Sequence, residues 1–206
     1  MLVVGFPAGA LQANCYLLAP GPGTACVIVD AGEDCAGRVA EALAEHDLTP
    51  AAVLATHGHP DHVAGAAAVT AAHGVPLWIH PADRGLHDGD RPADVRALTG
   101  APLELADLVI DVGLVPGHTA GSVVFRLTTP EGGRLVLTGD TLFAGSVGRT
   151  GSAGDRRRMG ESLRDQLLPL PDDTVVLPGH GPATTIGRER AGNPFLSGAR
   201  SVVPVP

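Results

Sequence analysis

Positions 56–62 read Thr-His-Gly-His-Pro-Asp-His, which sets three imidazoles and a carboxylate almost side by side. The apolar run Ala52–Thr56, with the pattern of a buried strand, delivers this motif. Residues two apart in an extended segment point the same way, so His57 and His59 converge on one ion. The chain then turns at Pro60. Asp61 and His62, adjacent at a helix N-terminus, point differently and address a second ion. Imidazole together with carboxylate suits zinc, and also iron or manganese, better than calcium or magnesium. Four ligands do not complete two catalytic sites, and three later segments have the form to supply the rest. Pro116-Gly117-His118-Thr119-Ala120-Gly121 follows an apolar strand, as do Leu137-Thr138-Gly139-Asp140-Thr141 and Leu177-Pro178-Gly179-His180-Gly181. In each, a ligand-type residue lies just beyond a strand, beside a glycine that lets the backbone approach closely.

The elements that must position these groups follow from periodicity. Residues 2–6, 14–19 and 25–30 read as strands between Gly/Pro-rich turns, and 33–46 as a helix with Val39, Leu43 and Ala36 on one face. A helix is predicted over 62–73, ended by His73-Gly74, and a strand over 77–79. Region 81–98 reads as short helix and loop. Strands return at 108–115, 122–128 and 134–138, the last two joined by a turn at Glu131-Gly132-Gly133. A helix over 155–168 with Met159, Leu163 and Leu167 on one face, a strand at 174–177 and a short helix over 184–191, capped by Thr184 or Thr185, complete the pattern. A tail from about residue 197, ending in Ser201–Pro206, is expected to fray. The two halves repeat the order strands, helix, strand, helix. Two central sheets with helices on both outer faces would bury these elements, although periodicity does not choose that layout over a doubly wound sheet.

Composition narrows the function. A chain of 206 residues fits one domain over 1–206. With 14 basic and 22 acidic residues the formal charge is -8, which argues against a nucleic-acid partner. Every basic residue is arginine, so Schiff-base chemistry and a Walker-type lysine are excluded. Cys15, Cys26 and Cys35 form neither a disulfide framework nor a Cys-x-x-Cys clip and read as small core hydrophobes. Residues 1–6 lack the basic start of a signal peptide, and no apolar run approaches the ~18–20 residues of a membrane span. A cytoplasmic location without a membrane partner is expected. The sequence carries no signal for an oligomeric state.

The His-x-His-x-Asp-His motif, with His118, Asp140 and His180 on later loops, resembles the metallo-β-lactamase superfamily over roughly residues 1–195. The resemblance implies an αβ/βα four-layer sandwich and two divalent metal ions per chain, zinc first, iron or manganese otherwise. It implies that His57, His59 and His118 bind one ion, that Asp61, His62 and His180 bind the other, and that Asp140 bridges them. The segment 139–150 is similar to the glyoxalase II and persulfide dioxygenase branch, as are Asn14-Cys15-Tyr16 and 179–186. Glu189-Arg190 and Asn193-Pro194-Phe195-Leu196 are similar to the short glyoxalase II-like hydrolases of bacteria. Two departures stand out. The chain ends before the helical domain that helps full-length glyoxalase II bind glutathione could form, and it has no lysine for the glycine carboxylate of that thiol. Gly151 stands where the branch has Asp.

These resemblances imply a hydrolase acting on a small acylated thiol, with S-D-lactoylglutathione the nominal substrate and a shorter or different acyl-thiol open. Two ions ~3.5–4 Å apart would share a hydroxide that attacks the thioester carbonyl, with Asp61 orienting it and Asp140 fixing the separation. No nucleophilic side chain is needed, so Ser122 and Ser146 are expected to be structural. Thr56 and Thr119 are candidates to orient neighbouring ligands, against ordinary strand and turn hydroxyls. Arg149 is the candidate to pair with a substrate carboxylate, against a surface salt bridge. Tyr16 and Trp78 are expected to pack in the core. His46, His73, His80 and His87 fall outside the ligand pattern, and Arg156-Arg157-Arg158 reads as a solvated helix face. The competing readings are a mononuclear-iron persulfide dioxygenase using His57, His59 and Asp140 or His118, and a hydrolase of a lactone or β-lactam.

Overall fold

The computed structural model describes residues 1–197; the tail expected to fray lies beyond them. The first half contains β1 (Leu2–Ala8), β2 (Ala13–Ala19), β3 (Ala25–Val29), α1 (Ala36–His46), β4 (Thr49–Leu54), α2 (Pro60–Val63), α3 (Ala66–His73), β5 (Leu77–Ile79) and β6 (Val95–Ala97). Its strands form one six-stranded sheet in sequence order. Pairing is antiparallel through β3 and parallel from β3 to β6.

The second half contains β7 (Leu103–Leu105), β8 (Leu108–Leu114), β9 (Val123–Thr128), β10 (Arg134–Gly139), β11 (Leu142–Phe143), β12 (Ser146–Val147) and α4 (Ala153–Ser162). A π turn over Leu163–Leu167 follows, then β13 (Val175–Pro178), β14 (Thr184–Thr185), α5 (Ile186–Gly192) and α6 (Pro194–Ser197). The second six-stranded sheet runs β14-β13-β10-β9-β8-β7, and β11 pairs only with β12.

Strand alternation splits the apolar residues into three layers. Leu18, Val27, Val29 and Leu54 from the first sheet meet Ile110, Val123, Phe125 and Leu137 from the second, forming the core between them. On the outer face of the first sheet, Leu17, Ile28 and Val53 pack under Val39 and Leu43 of α1 and Val69 of α3. On the outer face of the second, Val124, Val136 and Val176 pack under Met159, Leu163, Leu167 and Ile186. The result is the αβ/βα sandwich. Each large side chain buried this way stabilises the fold by roughly 1.5–3 kcal/mol.

The local departures from the sequence reading have physical causes. Helix α1 begins at Ala36 rather than 33, and Cys35 and Ala42 take the inner face while Ala36 is exposed. The helix expected over 62–73 breaks at Gly65, whose N–H leaves the helix to donate to the Ala31 carbonyl at 3.0 Å. Helix α4 starts earlier, because Ser152 accepts from the Asp155 N–H at 3.1 Å and caps it. Of the two proposed caps near 184, Thr185 accepts from the Arg188 N–H, while the Thr184 hydroxyl donates to Glu189 Oε1 at 2.7 Å. Strands β6 and β7 lie where short helix or no element was expected, since three residues are too few to show a period. All three cysteines are buried and free. No helix among the described residues is long and apolar enough to cross a membrane.

Candidate metal centre

All seven ligand candidates meet at one edge of the sandwich. The first sheet supplies the loop after β4, in which His59 stands extended (φ -67°, ψ 147°) just before Pro60 opens α2. That break lets His59 face His118 while Asp61 and His62 face His180, and the His57 ring stands beside both sets, its centroid 4.9 Å from that of His59 and 4.2 Å from that of His62. The second sheet supplies His118 after β8, Asp140 after β10 and His180 after β13. At Gly139 the backbone enters the left-handed region (φ 47°), and a Cβ there would collide with the Thr56 side chain. Only glycine makes this turn and so aims Asp140 inward.

The donor atoms fall into overlapping groups, each within 4.8 Å: His57 with His59 and His118, Asp61 with His62 and His180, and His57 with His62 and Asp140. Within the first group, His118 Nε2 lies 2.8 Å from His59 Nδ1. In the second, His180 Nε2 lies 3.2 Å from Asp61 Oδ2 and 3.3 Å from His62 Nε2. Asp140 stands between, its Oδ1 3.3 Å from His62 Nε2 and its Oδ2 3.5 Å from His118 Nε2. His57 Nε2 and Asp140 Oδ1 are buried without a hydrogen-bond partner among the described residues. A buried lone pair left unpaired in a polar cluster is what a cation would satisfy.

Proton counting fixes the ring orientations. The Thr56 hydroxyl donates to Asp30 Oδ2 at 2.7 Å, so the same oxygen accepts from His57 Nδ1–H at 3.1 Å. His62 Nδ1 donates to Asp30 Oδ2 at 2.9 Å, His118 Nδ1 to the Arg149 carbonyl at 2.8 Å, and His180 Nδ1 to the Leu11 carbonyl at 3.1 Å. Four rings therefore turn Nε2 toward the centre. The loop of His180 is itself held, because Tyr16 Oη donates to the Pro178 carbonyl at 2.9 Å and Asn14 Nδ2 to those of Pro178 and Gly181.

Charge is arranged to match. Burial holds His57 well below the usual imidazole range, helped by the neighbouring rings, so it is neutral with a lone pair to give. His59 is lowered too, by burial and by His118. Burial opposes protonation of His62, but the Asp30 and Asp140 carboxylates overcome it and lift the ring to about 10. The hydrogen bond that His180 donates to Asp61 raises its own pKa. Burial pushes Asp61 up, yet His180 and His62 outweigh it and hold it at about 2. In the same way His62 keeps Asp140 ionised against the cost of burial. The carboxylates thus stay charged, and imidazolium protons occupy the positions that a metal ion would claim.

Residues 8–180 match the family model described as the metallo-beta-lactamase superfamily. The chain belongs to that superfamily. Among its relatives, an uncharacterized Mycobacterium tuberculosis protein is 45% identical over 96% of this chain and 99% of its own. The hydroxyacylglutathione hydrolase GloC of Haemophilus influenzae is 34% identical over 93% and 96%. Two crystal structures are similar. That of BLEG-1 B3 metallo-beta-lactamase has TM-score 0.82, 33% identity and coverage of 96% of this chain and 100% of that one. That of TTHA1623 in a di-iron-bound form has TM-score 0.79, 36% identity and coverage of 94% and 100%.

In this metallo-β-lactamase relative the other sequence candidates fall into place unequally. Thr56 touches the His57 ring. Thr119 does not; its hydroxyl donates to Asp83 Oδ2 at 2.6 Å. Arg149 reaches His118 through its backbone carbonyl, while its side chain is exposed and has no partner among the described residues. His46, His73, His80 and His87 belong to none of the donor groups. Tyr16 is buried in the central core, with Trp78 partly buried against it. Arg158 pairs with Asp155 on the exposed face of α4.

Two buried carboxylates were missed, Asp30 and Asp83. Asp30 carried a readable signal, since it closes the apolar run Val27-Ile28-Val29 just as Asp140 closes its own strand. It stands in the left-handed region (φ 58°), a position rarely used by a residue other than glycine. Asp83 carried none, because its surroundings show no period.

Proposed function

We propose that this chain is a dinuclear metallohydrolase that cleaves a small acyl-thioester in the manner of glyoxalase II. The observation that carries the reading is Asp140 between two complete donor groups, its carboxylate oxygens within 3.5 Å of His118 and His62. On this reading His57, His59 and His118 hold one divalent ion, Asp61, His62 and His180 the other, and Asp140 faces both. His57 Nε2, buried without a hydrogen-bond partner among the described residues, fits such an ion, as does Asp140 Oδ1, which lies 3.3 Å from His62 Nε2. When bound, they would supply Lewis acidity and bring the pKa of water down to about 7.

The chain's own groups do the remaining work. Asp61, half-buried and ionised, is the acceptor that orients a water and takes its hydrogen bond. The Arg149 guanidinium, exposed and without a partner among the described residues, binds the carboxylate of a thiol such as glutathione. Imidazole-rich donors accommodate zinc and iron alike, and the di-iron-bound neighbour makes iron a real alternative. Resemblance to a hydroxyacylglutathione hydrolase supports the thioester.

The test is a panel of acyl-thiols, lactones and β-lactams assayed on metal-quantified protein, with thiol released from the thioesters read by a chromogenic disulfide and acid formed from the lactones and β-lactams by a pH indicator. Two metals per chain and thioester turnover that Asp61→Ala abolishes are expected. One iron per chain with oxygen uptake on a thiol persulfide would overturn the hydrolase in favour of a dioxygenase.

A further inference from the structure

The turn after β5 holds a carboxylate that the reaction does not use directly. Asp83 is 1% exposed, in the short 3-10 turn Pro81–Asp83. Its Oδ2 accepts from the Gly58 N–H at 3.0 Å and the Thr119 hydroxyl at 2.6 Å, and its Oδ1 from the Gly121 N–H at 2.7 Å. Gly58 lies between His57 and His59; Thr119 and Gly121 follow His118. Every donor to this carboxylate therefore comes from one of the two loops carrying the first donor group.

The arrangement is directional. The Ser122 hydroxyl, 2.7 Å from Thr119 Oγ1, donates to it because the Thr119 proton is committed to Asp83. The turn has its own anchors, the Asp83 N–H on the His80 carbonyl at 3.0 Å and the Ala82 N–H on His80 Nδ1 at 3.2 Å. A carboxylate fixed to one strand end thus grips a loop from each sheet.

We infer that Asp83 is a positioning residue, which sets the spacing between the His57–His59 loop and the His118 loop and so tunes the first metal subsite without touching the metal. This rests on the reading that the donor groups bind metal. Asn at this position keeps the shape but turns an N–H2 toward at least one N–H or O–H donor, pushing the loops apart.

The experiment is Co²⁺ titration of metal-stripped protein, followed by visible absorption and chelator competition, with His118→Ala and His180→Ala marking each subsite. Asp83→Asn is expected to weaken one equivalent by about 10–100-fold, as loss of a ligand-orienting partner does. The equivalent that remains should keep the spectrum seen in His118→Ala. Thr119→Val, which removes one of the three donors, should weaken the same equivalent less, and Thr119→Ser should restore it. Equal weakening of both equivalents by Asp83→Asn, or of neither, overturns the assignment. If Asp83→Asn does not fold, a Thr119→Val protein with both affinities intact overturns it instead. An unmodified chain that takes up no Co²⁺ refutes the metal reading itself.

Discussion

Replacing Asp30 with Asn should change which nitrogen of His62 keeps a proton when the imidazolium gives up the other to become a metal ligand. Asp30 accepts from the Thr56 N–H at 2.7 Å, the Thr56 hydroxyl at 2.7 Å and His62 Nδ1 at 2.9 Å. The last two share Oδ2. In the Asn variant, Oδ1 keeps the backbone bond and the amide nitrogen takes the place of Oδ2, facing two former donors. Thr56 can rotate its hydroxyl, but His62 must present a lone pair at Nδ1. The proton that the neutral ring keeps is then the one on Nε2, the atom that points at Asp61, Asp140 and His180. A ligand nitrogen bearing a proton does not coordinate, so the second metal subsite should weaken. Loss of an orienting carboxylate costs about 10–100-fold in metal affinity, or about 1.4–2.7 kcal/mol. Chelator competition on metal-stripped protein measures it, with Asp30→Ala as the control that deletes both the acceptor and the misplaced donor. If Asp30→Asn binds both equivalents as the unmodified chain does, the tautomer argument fails. It also fails if Asp30→Asn and Asp30→Ala lose the same equivalent to the same extent, since the misplaced N–H2 would then add nothing.

The remaining predictions concern protons, packing and charge. With His62 raised to about 10, metal uptake at pH 7 must expel its proton; calorimetry in buffers of differing ionisation enthalpy should show at least one proton released per chain, and affinity should rise between pH 6 and 9. The sign for the metal-free fold is opposite: stability from the raised His62 is complete below its ordinary pKa of about 6.5 and is lost as pH climbs through about 10, so its melting temperature should fall over that span. A Cβ on Gly148 would run into the Asp140 carbonyl and the His118 ring; Gly148→Ala should cost about 1–3 kcal/mol in denaturant unfolding, by overpacking, and lower metal content as well. Arg149→Met should raise KM for a carboxylate-bearing thioester by about 5-fold while kcat and melting temperature hold, because an exposed charge pair contributes only about 1 kcal/mol. An equal loss on an uncharged thioester would refute that role.

The sequence made the apolar strands legible, and with them the candidate ligand residues at their ends. His57, His59, His118, Asp140 and His180 stand where a strand runs out, so an apolar run followed by a ligand-type residue was enough to mark them as candidates. The pairing of sheets was less readable, because a run such as Val27-Ile28-Val29, apolar on both faces, fits either layout. What stayed hidden depends on contacts across long stretches of chain. Asp83 meets Gly58, Thr119 and Gly121 at sequence separations of 25, 36 and 38 residues, and no local signal records such a meeting. Arg149 shows the converse: its type drew attention to a side chain, whereas the contact it makes uses a carbonyl any residue would offer.

One leaf of the sandwich carries His57, His59, Asp61 and His62, and the other carries His118, Asp140 and His180, with the apolar core lying between the leaves like a spine. Ions seated among them would act as a clasp across the open edge. Stripping them should leave the spine shut and let only that edge breathe, so that amides of the ligand loops exchange with deuterated water faster while those of β3 and β10 keep their pace. Neither leaf alone could close the clasp, and a chain cut near position 100 should recover its centre only when its two pieces are brought back together.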